Sequence, residues 1–432
     1  MATRLPRPRL NRVPSTLDAF RNPGFRLLWP ANFFSYISRW MQMTFLAWVI
    51  LQQTGSPFLV ALVGFFGMFP LLAFGAFGGV LADRMNRHTL LLSTQILNLV
   101  AAVFMTVLLV TDMFVFWHSY IVVSASGLGW AFDMPSRRVA VHDLIGRAGV
   151  TNGMALDSVG MHASRMAGPA LAGGLIALIG VKGGFFVIIA FYLIAIVFMA
   201  FLRLPPRSSS VASHSIVKNL NEGFSYVRGN RVILATVIIT VLMNLLLFPY
   251  MQMVPVIAVK ILQVGPGLMG IMMGADGLGA ILGSISIASA GRLRHHGRVY
   301  LGGSLVGLVM VLMFAGSNVF ALSMLILFLL GLGTAGFGTM QSTIVVIAAS
   351  EDMRGRALGV ISLAIGAGPI GALLIGAVAE TTSPPMAIAM FAILGLITVG
   401  AVGILMPEIR APIVQDADGT QSDAARPAVQ RT

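Results

Sequence analysis

Apolar residues along this chain fall into twelve long runs separated by short polar stretches. The runs occupy residues 27–51, 58–82, 89–111, 114–134, 153–179, 184–202, 232–256, 267–290, 299–315, 319–346, 357–379 and 386–406. A helix needs about 20 apolar residues to cross a hydrocarbon layer about 30 Å thick. The pattern therefore predicts an all-α polytopic membrane protein with twelve transmembrane helices, six on each side of a central polar connection.

The polar stretches divide the chain into five regions. We predict a basic cytoplasmic N-terminal tail (1–26), a six-helix bundle (27–202), a cytoplasmic central loop (203–231), a second six-helix bundle (232–406) and a disordered cytoplasmic tail (407–432). Inside the central loop, apolar residues recur at helical spacing at Ile216, Leu220, Phe224 and Val227. They predict a short amphipathic helix on the membrane surface, with a solvated linker as the alternative.

Composition and cysteine usage narrow the class of protein. The chain is 57% hydrophobic and 10% charged, with a mean hydropathy of +0.89. A soluble protein carries about a quarter charged residues, so lipid must cover the excess apolar surface. Cysteine is absent, which excludes disulfides, thiolate metal sites and a cysteine nucleophile.

The basic residues are distributed asymmetrically between the two sets of loops. Of the 28 Lys and Arg residues, only Lys182 and Lys260 lie in loops on one side, and Arg39 and Arg165 lie within spans. All the others lie in the termini and in the loops on the opposite side. Positive residues favour the cytoplasmic side, so both termini are predicted to be cytoplasmic in a plasma membrane, the inner membrane of a bacterium. The net charge of +13 thus sets topology, and no nucleic-acid partner is expected.

The two halves of the chain repeat. Gly168-Pro169 in the fifth run corresponds to Gly368-Pro369 in the eleventh, and residues 134–136 correspond to residues 340–342. Two six-helix halves in parallel repeat are typical of transporters with a central site between pseudo-symmetric bundles.

The connection after the second run, residues 79–88, resembles the signature loop of the major facilitator superfamily. The positions that match its motif are Gly79, Asp83, Arg84 and Arg87, and Asn86 stands at a usual glycine. An ordinary basic loop is the alternative. The resemblance implies the two-bundle fold and a conformational role for the loop, with Asp83 contacting the eleventh helix. We further predict that Asp133, near the cytoplasmic end of span four, pairs with Arg84.

Span five carries small residues at every fourth position, Gly160, Ser164, Gly168 and Ala172, which gives one smooth face for close helix packing. The run is also similar to a span-five motif of proton-coupled exporters in the superfamily, matched at Gly168, Pro169 and Gly173. Ser164 and Ala172 stand where that motif has glycine, and packing alone is the alternative. Residues 54–57 and 165–173 look like the drug/proton antiporter branch that includes the enterobactin exporter.

Three charged residues lie about nine to twelve residues inside predicted spans, near the membrane midplane: Arg39, Arg165 and Asp276. A charge there costs at least about 2.5–3.5 kcal/mol, so it should face a cavity or a partner. We predict that Arg165 and Asp276 approach each other between the halves and that protonation of Asp276 couples proton movement to conformational change. A fixed structural pair is the alternative.

Polar and aromatic side chains repeat along the spans that line the cavity in the superfamily. The predicted substrate-contacting residues are Asn32, Tyr36, Gln42, Asn244, Phe248 and Gln341. Pro249 predicts a kink in span seven. Hydrogen bonding between helices explains these polar residues equally well. The two midplane arginines favour an anionic substrate.

Together these features predict a secondary active transporter that exports amphipathic, drug- or siderophore-like small molecules in exchange for protons by alternating access. Its expected partners are the small-molecule substrate, protons and the lipid bilayer. The proton gradient supplies the energy, no cofactor or metal is expected, and the protein is expected to be a monomer. The alternative is an uptake symporter of the same fold. An integral-membrane enzyme or receptor is less favoured, because no metal-ligand cluster or nucleophile–base pair lies at a common depth.

Overall fold

The part of the chain that a computed structural model describes is residues 17–204, 216–290 and 294–412, without the side chains of 75–84, 147–148, 151 and 216–220. Within these ranges the chain is almost entirely α-helical and contains no β-strand. Most of the two predicted tails, and residues 205–215 of the predicted central loop, lie outside the described residues.

Twelve helical segments occur at the positions of the twelve apolar runs. Spans one to twelve are Pro23–Thr54, Pro57–Arg84, Arg87–Val110, 118–145, 147–179, 181–201, Arg231–Lys260, Pro266–Ser289, His296–Ala315, Phe320–Ala348, Arg354–Thr381 and Pro384–Leu405. Left-handed Gly146 (φ 72°) and Gly180 (φ 70°) divide the helix His118–Phe201 into spans four, five and six. The predicted all-α fold of twelve spans is confirmed.

Asparagine side chains begin three of the spans on their basic, predicted cytoplasmic side. The Oδ1 atoms of Asn22, Asn86 and Asn230 accept hydrogen bonds of 2.8, 3.0 and 3.1 Å from backbone N–H groups in the first turns of spans one, three and seven. These caps satisfy donors that a helix start leaves free. The capping residues lie before the apolar runs. The first turn of each helix is partly polar, so the hydropathy pattern places the start of the helix too late.

Span seven is distorted before its proline. Residues Met243–Leu247 form a π-helical turn immediately ahead of Phe248 and Pro249. A proline lacks the backbone N–H and crowds the preceding turn, which explains the local change in winding at the predicted position.

A separate helix, Ile216–Gly229, lies in the central connection and packs on the start of span eleven. Glu222 lies 3.1 Å from Arg356, and the Tyr226 hydroxyl accepts a 3.0 Å hydrogen bond from the backbone N–H of Ser350. Val227 is buried and Phe224 is exposed, while the side chains of Ile216 and Leu220 lie outside the described residues. This helix therefore belongs with the second half, and its location on a membrane surface stays a prediction.

The two halves approach each other on the side that carries Lys182 and Lys260, called the outer side here after the predicted orientation. Span two packs along span eleven, and span five packs along span eight. At the outer surface, Glu380 of span eleven accepts hydrogen bonds from Ser56 Oγ (2.7 Å) and the Phe58 N–H (3.2 Å) at the start of span two. A carboxylate at a helix N-terminus is electrostatically favourable, so this contact stabilises the closed outer side.

Spans five and eight make their closest contact at two glycines. A Cβ atom added to Gly173 would lie 2.9 Å from the Cα atom of Gly270 and would collide with the carbonyl oxygen of Pro266. Further in, Gly274 lies against the carbonyl of Met166. Glycine is required here because the backbones themselves are in contact.

Toward the opposite side, called the cytoplasmic side here after the same predicted orientation, this face of span five is uncovered. Ser158 lies two helical turns before Arg165, on the same face, and it is exposed, as is Val159 with 60% of its surface accessible. The halves are therefore closed on the outer side, and the interface face of span five is accessible from the cytoplasmic side.

Candidate functional site

The centre of the interface between the halves contains an ion pair. The Arg165 guanidinium of span five lies 2.6 Å from Oδ2 of Asp276 in span eight. The Tyr250 hydroxyl of span seven donates a 2.9 Å hydrogen bond to the same oxygen. Only 4% of the Asp276 surface is exposed. The structure thus brings together the two residues that the sequence singled out, and it adds a tyrosine that the sequence did not indicate.

This ion pair leaves hydrogen-bonding capacity unused. Within the described part of the chain, Arg165 Nε and Asp276 Oδ1 are buried and have no hydrogen-bond partner. A cavity of about 20 Å³ adjoins Asp276 and is lined by Tyr250, Met251, Val254, Met272, Met273, Asp276 and Leu327. A space of this size holds about one water molecule. The two opposite charges of the pair match each other. One nitrogen of Arg165 and one oxygen of Asp276 nevertheless remain available to bind a different partner.

Arg39 lies elsewhere, although the sequence grouped it with Arg165 and Asp276. It points into the first bundle, where its guanidinium donates to the carbonyl oxygens of Ser126 (2.6 Å) and Gly67 (3.0 Å). The guanidinium also lies 4.9 Å from the centre of the Trp130 ring. Carbonyl dipoles and an aromatic face therefore stabilise this buried charge. The neighbouring residue Trp40, by contrast, faces Arg165.

A second charged cluster lies in the first bundle, closer to the cytoplasmic side. Arg137 of span four, with 1% of its surface exposed, forms an ion pair with Asp133 one turn before it. It also donates a hydrogen bond to Oδ1 of Asn32 in span one. Asn32 in turn donates through Nδ2 to Asp157 of span five, at 2.7 Å. We name the residues Asn32, Tyr36, Asp133, Arg137 and Asp157 the inner cluster.

Arg137 and Asp157 were not among the residues predicted from the sequence. Arg137 was assigned to a cytoplasmic loop because the fourth apolar run ends at residue 134, but the helix continues to residue 145 and carries the side chain into the bundle. Asp157 lies eight residues before Arg165 on the same helix. An acid at that spacing from an intramembrane arginine is the signal that could have identified it.

Five of the predicted substrate-contacting residues are buried, Phe248 is partly buried, and all six contact other helices or their own helix. Their described hydrogen bonds are Asn32 to Asp157 and Arg137, Gln42 to Ser126 Oγ (2.8 Å), Asn244 to the Thr240 carbonyl (2.9 Å) and Gln341 to Thr240 Oγ1 (2.9 Å). Phe248 packs on Phe337 with ring centres 5.5 Å apart, and Tyr36 is 6% exposed. In this state Gln42, Asn244 and Gln341 serve helix packing, the alternative explanation, and their contact with substrate stays a prediction.

The structure describes only part of the signature loop. The side chains of Asp83 and Arg84, and the surroundings of Gly79, lie outside what the structure describes. Arg87 forms an ion pair with Asp143 at the cytoplasmic end of span four. Asp133 is bound by Arg137 and by Thr94 Oγ1 at 3.1 Å, so a pairing of Asp133 with Arg84 stays a prediction.

The small residues of span five make contacts on two faces of the helix. Gly160 lies against the Trp29 ring, Ser164 donates weakly to the Phe33 carbonyl at 3.4 Å, and Gly168 lies against the backbone of span one at Ile37. On the neighbouring face, the carbonyl of Pro169 contacts Gly270, and Gly173 contacts the same turn of span eight. Span five is thereby fixed to its own bundle and touches the opposite bundle at the same depth.

Twelve membrane-spanning helices in two six-helix halves, with a charged pair at their interface, define a transporter of the major facilitator type. Nine helices in the described ranges are long and apolar enough to cross a membrane, and one of them, Asn152–Phe201, contains two spans, so these helices account for ten spans, all except spans one and four. The chain belongs to the family of transmembrane secretion effectors, which it matches over residues 14–431. It is therefore a multi-pass membrane transporter of the efflux or secretion type.

Named relatives support this assignment at low sequence identity. The chain is 23% identical over 374 residues to the multidrug efflux pump Tap of Mycolicibacterium fortuitum, covering 84% of this chain and 90% of Tap. It is 22% identical over 380 residues to the staphyloferrin A transporter of Staphylococcus aureus, covering 85% and 92%. It is 21% identical over 236 residues to macrolide efflux protein A of Streptococcus pyogenes, covering 54% and 58%.

Solved structures share the fold. A bacterial homologue of the human lysosomal transporter Spinster, in an inward-facing and unoccupied conformation, matches with a TM-score of 0.69 at 14% identity, covering 90% of this chain and 98% of that one. A point mutant of the nucleoside transporter NupG matches with a TM-score of 0.71 at 14% identity, covering 88% and 99%. At such identities the likeness concerns the fold alone.

Proposed function

We propose that this protein exports amphipathic small molecules from the cytoplasm in exchange for protons, working by alternating access in a plasma membrane with both termini cytoplasmic. The observation that carries the proposal is the ion pair between Arg165 and Asp276, which joins the two halves at the centre of their interface. The names of the relatives, which cover a multidrug, a macrolide and a siderophore transporter, support export of drug- or siderophore-like cargo.

The ion pair explains how an exchange of proton for cargo would be enforced. While Asp276 is ionised, its attraction to Arg165 holds the outer side closed, so the empty carrier cannot return outward. Protonation of Asp276 removes one charge and weakens the attraction. Cargo that inserts between the halves and takes over a hydrogen bond of the pair has the same effect. Either event shifts the population from the outer-closed state toward the outer-open state. The empty, deprotonated protein stays in the outer-closed state.

The scheme uses groups present in this chain and no cofactor. Within the described ranges no group of three or more His, Asp or Glu side chains could hold a metal ion. The energy source in the scheme is the proton gradient, and the transporting unit is one chain with its two halves.

Transport in oriented vesicles tests the proposal and separates export from uptake. In inverted vesicles with an acidic lumen, we expect the protein to drive accumulation of erythromycin, because protons leaving the lumen power inward movement of cargo. Collapse of the proton gradient with an uncoupler should abolish the accumulation. Accumulation only in right-side-out vesicles with acid outside would indicate the uptake symporter. Accumulation that survives the uncoupler would overturn proton coupling.

A further inference from the structure

The carboxylate of Asp157 has no charged partner of its own among the described residues. It accepts hydrogen bonds from two neutral groups of span one, Asn32 Nδ2 at 2.7 Å and the Tyr36 hydroxyl at 3.4 Å. No Lys or Arg nitrogen in the described ranges forms an ion pair with it, whereas Asp133 and Asp276 each have an arginine. Asp157 is thus the acid in this part of the protein whose charge is not matched.

The charges around Asp157 compensate for it only in part. The guanidinium of Arg137 attracts Asp157 but forms no ion pair with it; it is paired with Asp133 and is connected to Asp157 by the amide of Asn32. With Asp157 ionised, the inner cluster therefore carries two negative charges and one positive charge. An unmatched charge in a low-dielectric interior is unfavourable, so uptake of a cation beside Asp157 would be stabilising.

The position of Asp157 makes it accessible in the observed state. It lies two turns from Arg165 toward the cytoplasmic side, about 12 Å along the helix at 1.5 Å per residue. The next residue, Ser158, is exposed on the uncovered face of span five. Because the outer side is closed at Gly173 and Glu380, a solute reaches Asp157 from the cytoplasmic side.

Aromatic rings of span one lie on the turns of span five around Asp157: the Tyr36 hydroxyl contacts the carboxylate, and the Trp29 ring packs on Gly160 in the next turn. Trp29 donates its indole N–H to the carbonyl of Leu156 at 2.9 Å, one residue from Asp157. The Trp29 ring stacks on Phe33 with centres 5.6 Å apart, and both rings are partly exposed. An acid next to partly exposed aromatic rings suits a ligand that combines a positive charge with an apolar body, because aromatic faces attract cations and bury apolar area.

We propose that Asp157, with Asn32 and Tyr36 holding its carboxylate and Trp29 and Phe33 on the adjacent turns of span one, is the cytoplasm-facing binding site for the positively charged amine or guanidine group of an amphipathic cargo. This inference rests on the proposed function and names the class of its substrate. It replaces the sequence-based preference for an anionic substrate, because neither of the two arginines on which that preference rested is free. Arg165 is paired with Asp276, and Arg39 is held by two carbonyl groups.

Two probes of nearly equal shape and opposite charge test the inference by equilibrium binding to the purified full-length protein in detergent. We expect tetraphenylphosphonium to bind, and tetraphenylborate to bind at least about tenfold more weakly. The variant Asp157→Asn keeps the size and the hydrogen-bonding geometry but removes the charge, and it should bind the cation at least about tenfold more weakly than the native protein. Asp157→Glu should retain binding.

A matched control uses Asp112, an exposed acid that pairs with Lys182 on the outer surface. Asp112→Asn should bind the cation like the native protein. The inference is wrong if native protein does not prefer the cation, or if Asp157→Asn binds it unchanged. If Asp157→Asn is unstable, the preference of the native protein for cation over anion and the retention of binding in Asp157→Glu still decide the question. Binding needs no proton gradient, so the inference can fail while gradient-driven export persists, and the reverse also holds.

Discussion

The variant Asp276→Asn is expected to lose proton-driven export while keeping exchange of cargo across the membrane. Asparagine has the size of aspartate and can still accept hydrogen bonds from Arg165 and Tyr250, but it carries no charge and binds no proton in the physiological range. The empty carrier is then free to change state, so the proton gradient no longer drives accumulation. In inverted vesicles, accumulation of erythromycin should fall to the level of vesicles without the protein.

Counterflow measures the part of the cycle that should survive. Vesicles loaded with unlabelled erythromycin and diluted into labelled erythromycin should still take up label with Asp276→Asn, since exchange requires no proton. The control variant Asp112→Asn should behave like native protein in both assays, because its carboxylate lies on the outer surface beside Lys182. Full gradient-driven accumulation by Asp276→Asn would show that the pair with Arg165 is only structural.

The variant Gly173→Val is expected to abolish transport by preventing closure of the outer side. The added side chain would meet the backbone of Gly270 and Pro266 in span eight, and overpacking of this kind costs about 1–3 kcal/mol. A penalty of that size on the outer-closed state lowers its population about 5- to 150-fold. Initial transport rates, normalised to the amount of protein in the membrane, measure the effect.

The adjacent position supplies a matched control. A Cβ atom at Gly174 would have no neighbour within 4 Å, so Gly174→Val makes the same chemical change on the same helix without meeting span eight. It should transport at close to the native rate. Equal losses in Gly173→Val and Gly174→Val would mean that helix propensity, and not contact between the halves, is responsible.

The fold followed from the sequence because lipid imposes a length on each apolar run. Twelve runs of the required length, with basic residues in every second loop, determine the number and order of the spans. The helices lie at the expected positions. The misjudged points are the helix ends. Residues 135–145 carry Arg137, Arg138 and Asp143, which look like a loop by hydropathy. They continue span four because Asp133 and Asn32 bind Arg137 and because Arg87 pairs with Asp143, while Arg138 is exposed.

The candidate site was predictable only in part. Arg165 and Asp276 stand out because each is an isolated charge in an apolar run. The free-energy cost of an unpaired charge inside a membrane predicts that each has a partner. Arg39 has the same sequence signal but a different environment, because backbone carbonyls of spans two and four stabilise it. Whether Arg39 or Arg165 pairs with Asp276 depends on the direction in which each side chain leaves its helix. That direction is set by packing between spans that are far apart in the sequence.

A distance measurement across the outer side at two pH values tests whether protonation of Asp276 opens that side. Because the chain has no cysteine, spin labels can be placed at Gln53 in the first half and Thr381 in the second, both exposed. At high pH the native protein should show one short distance, and at low pH a longer distance should appear as Asp276 is protonated. Asp276→Asn should show the longer distance at both pH values. A distance distribution that is independent of pH in native protein, or that changes with pH equally in Asp276→Asn, would contradict the account.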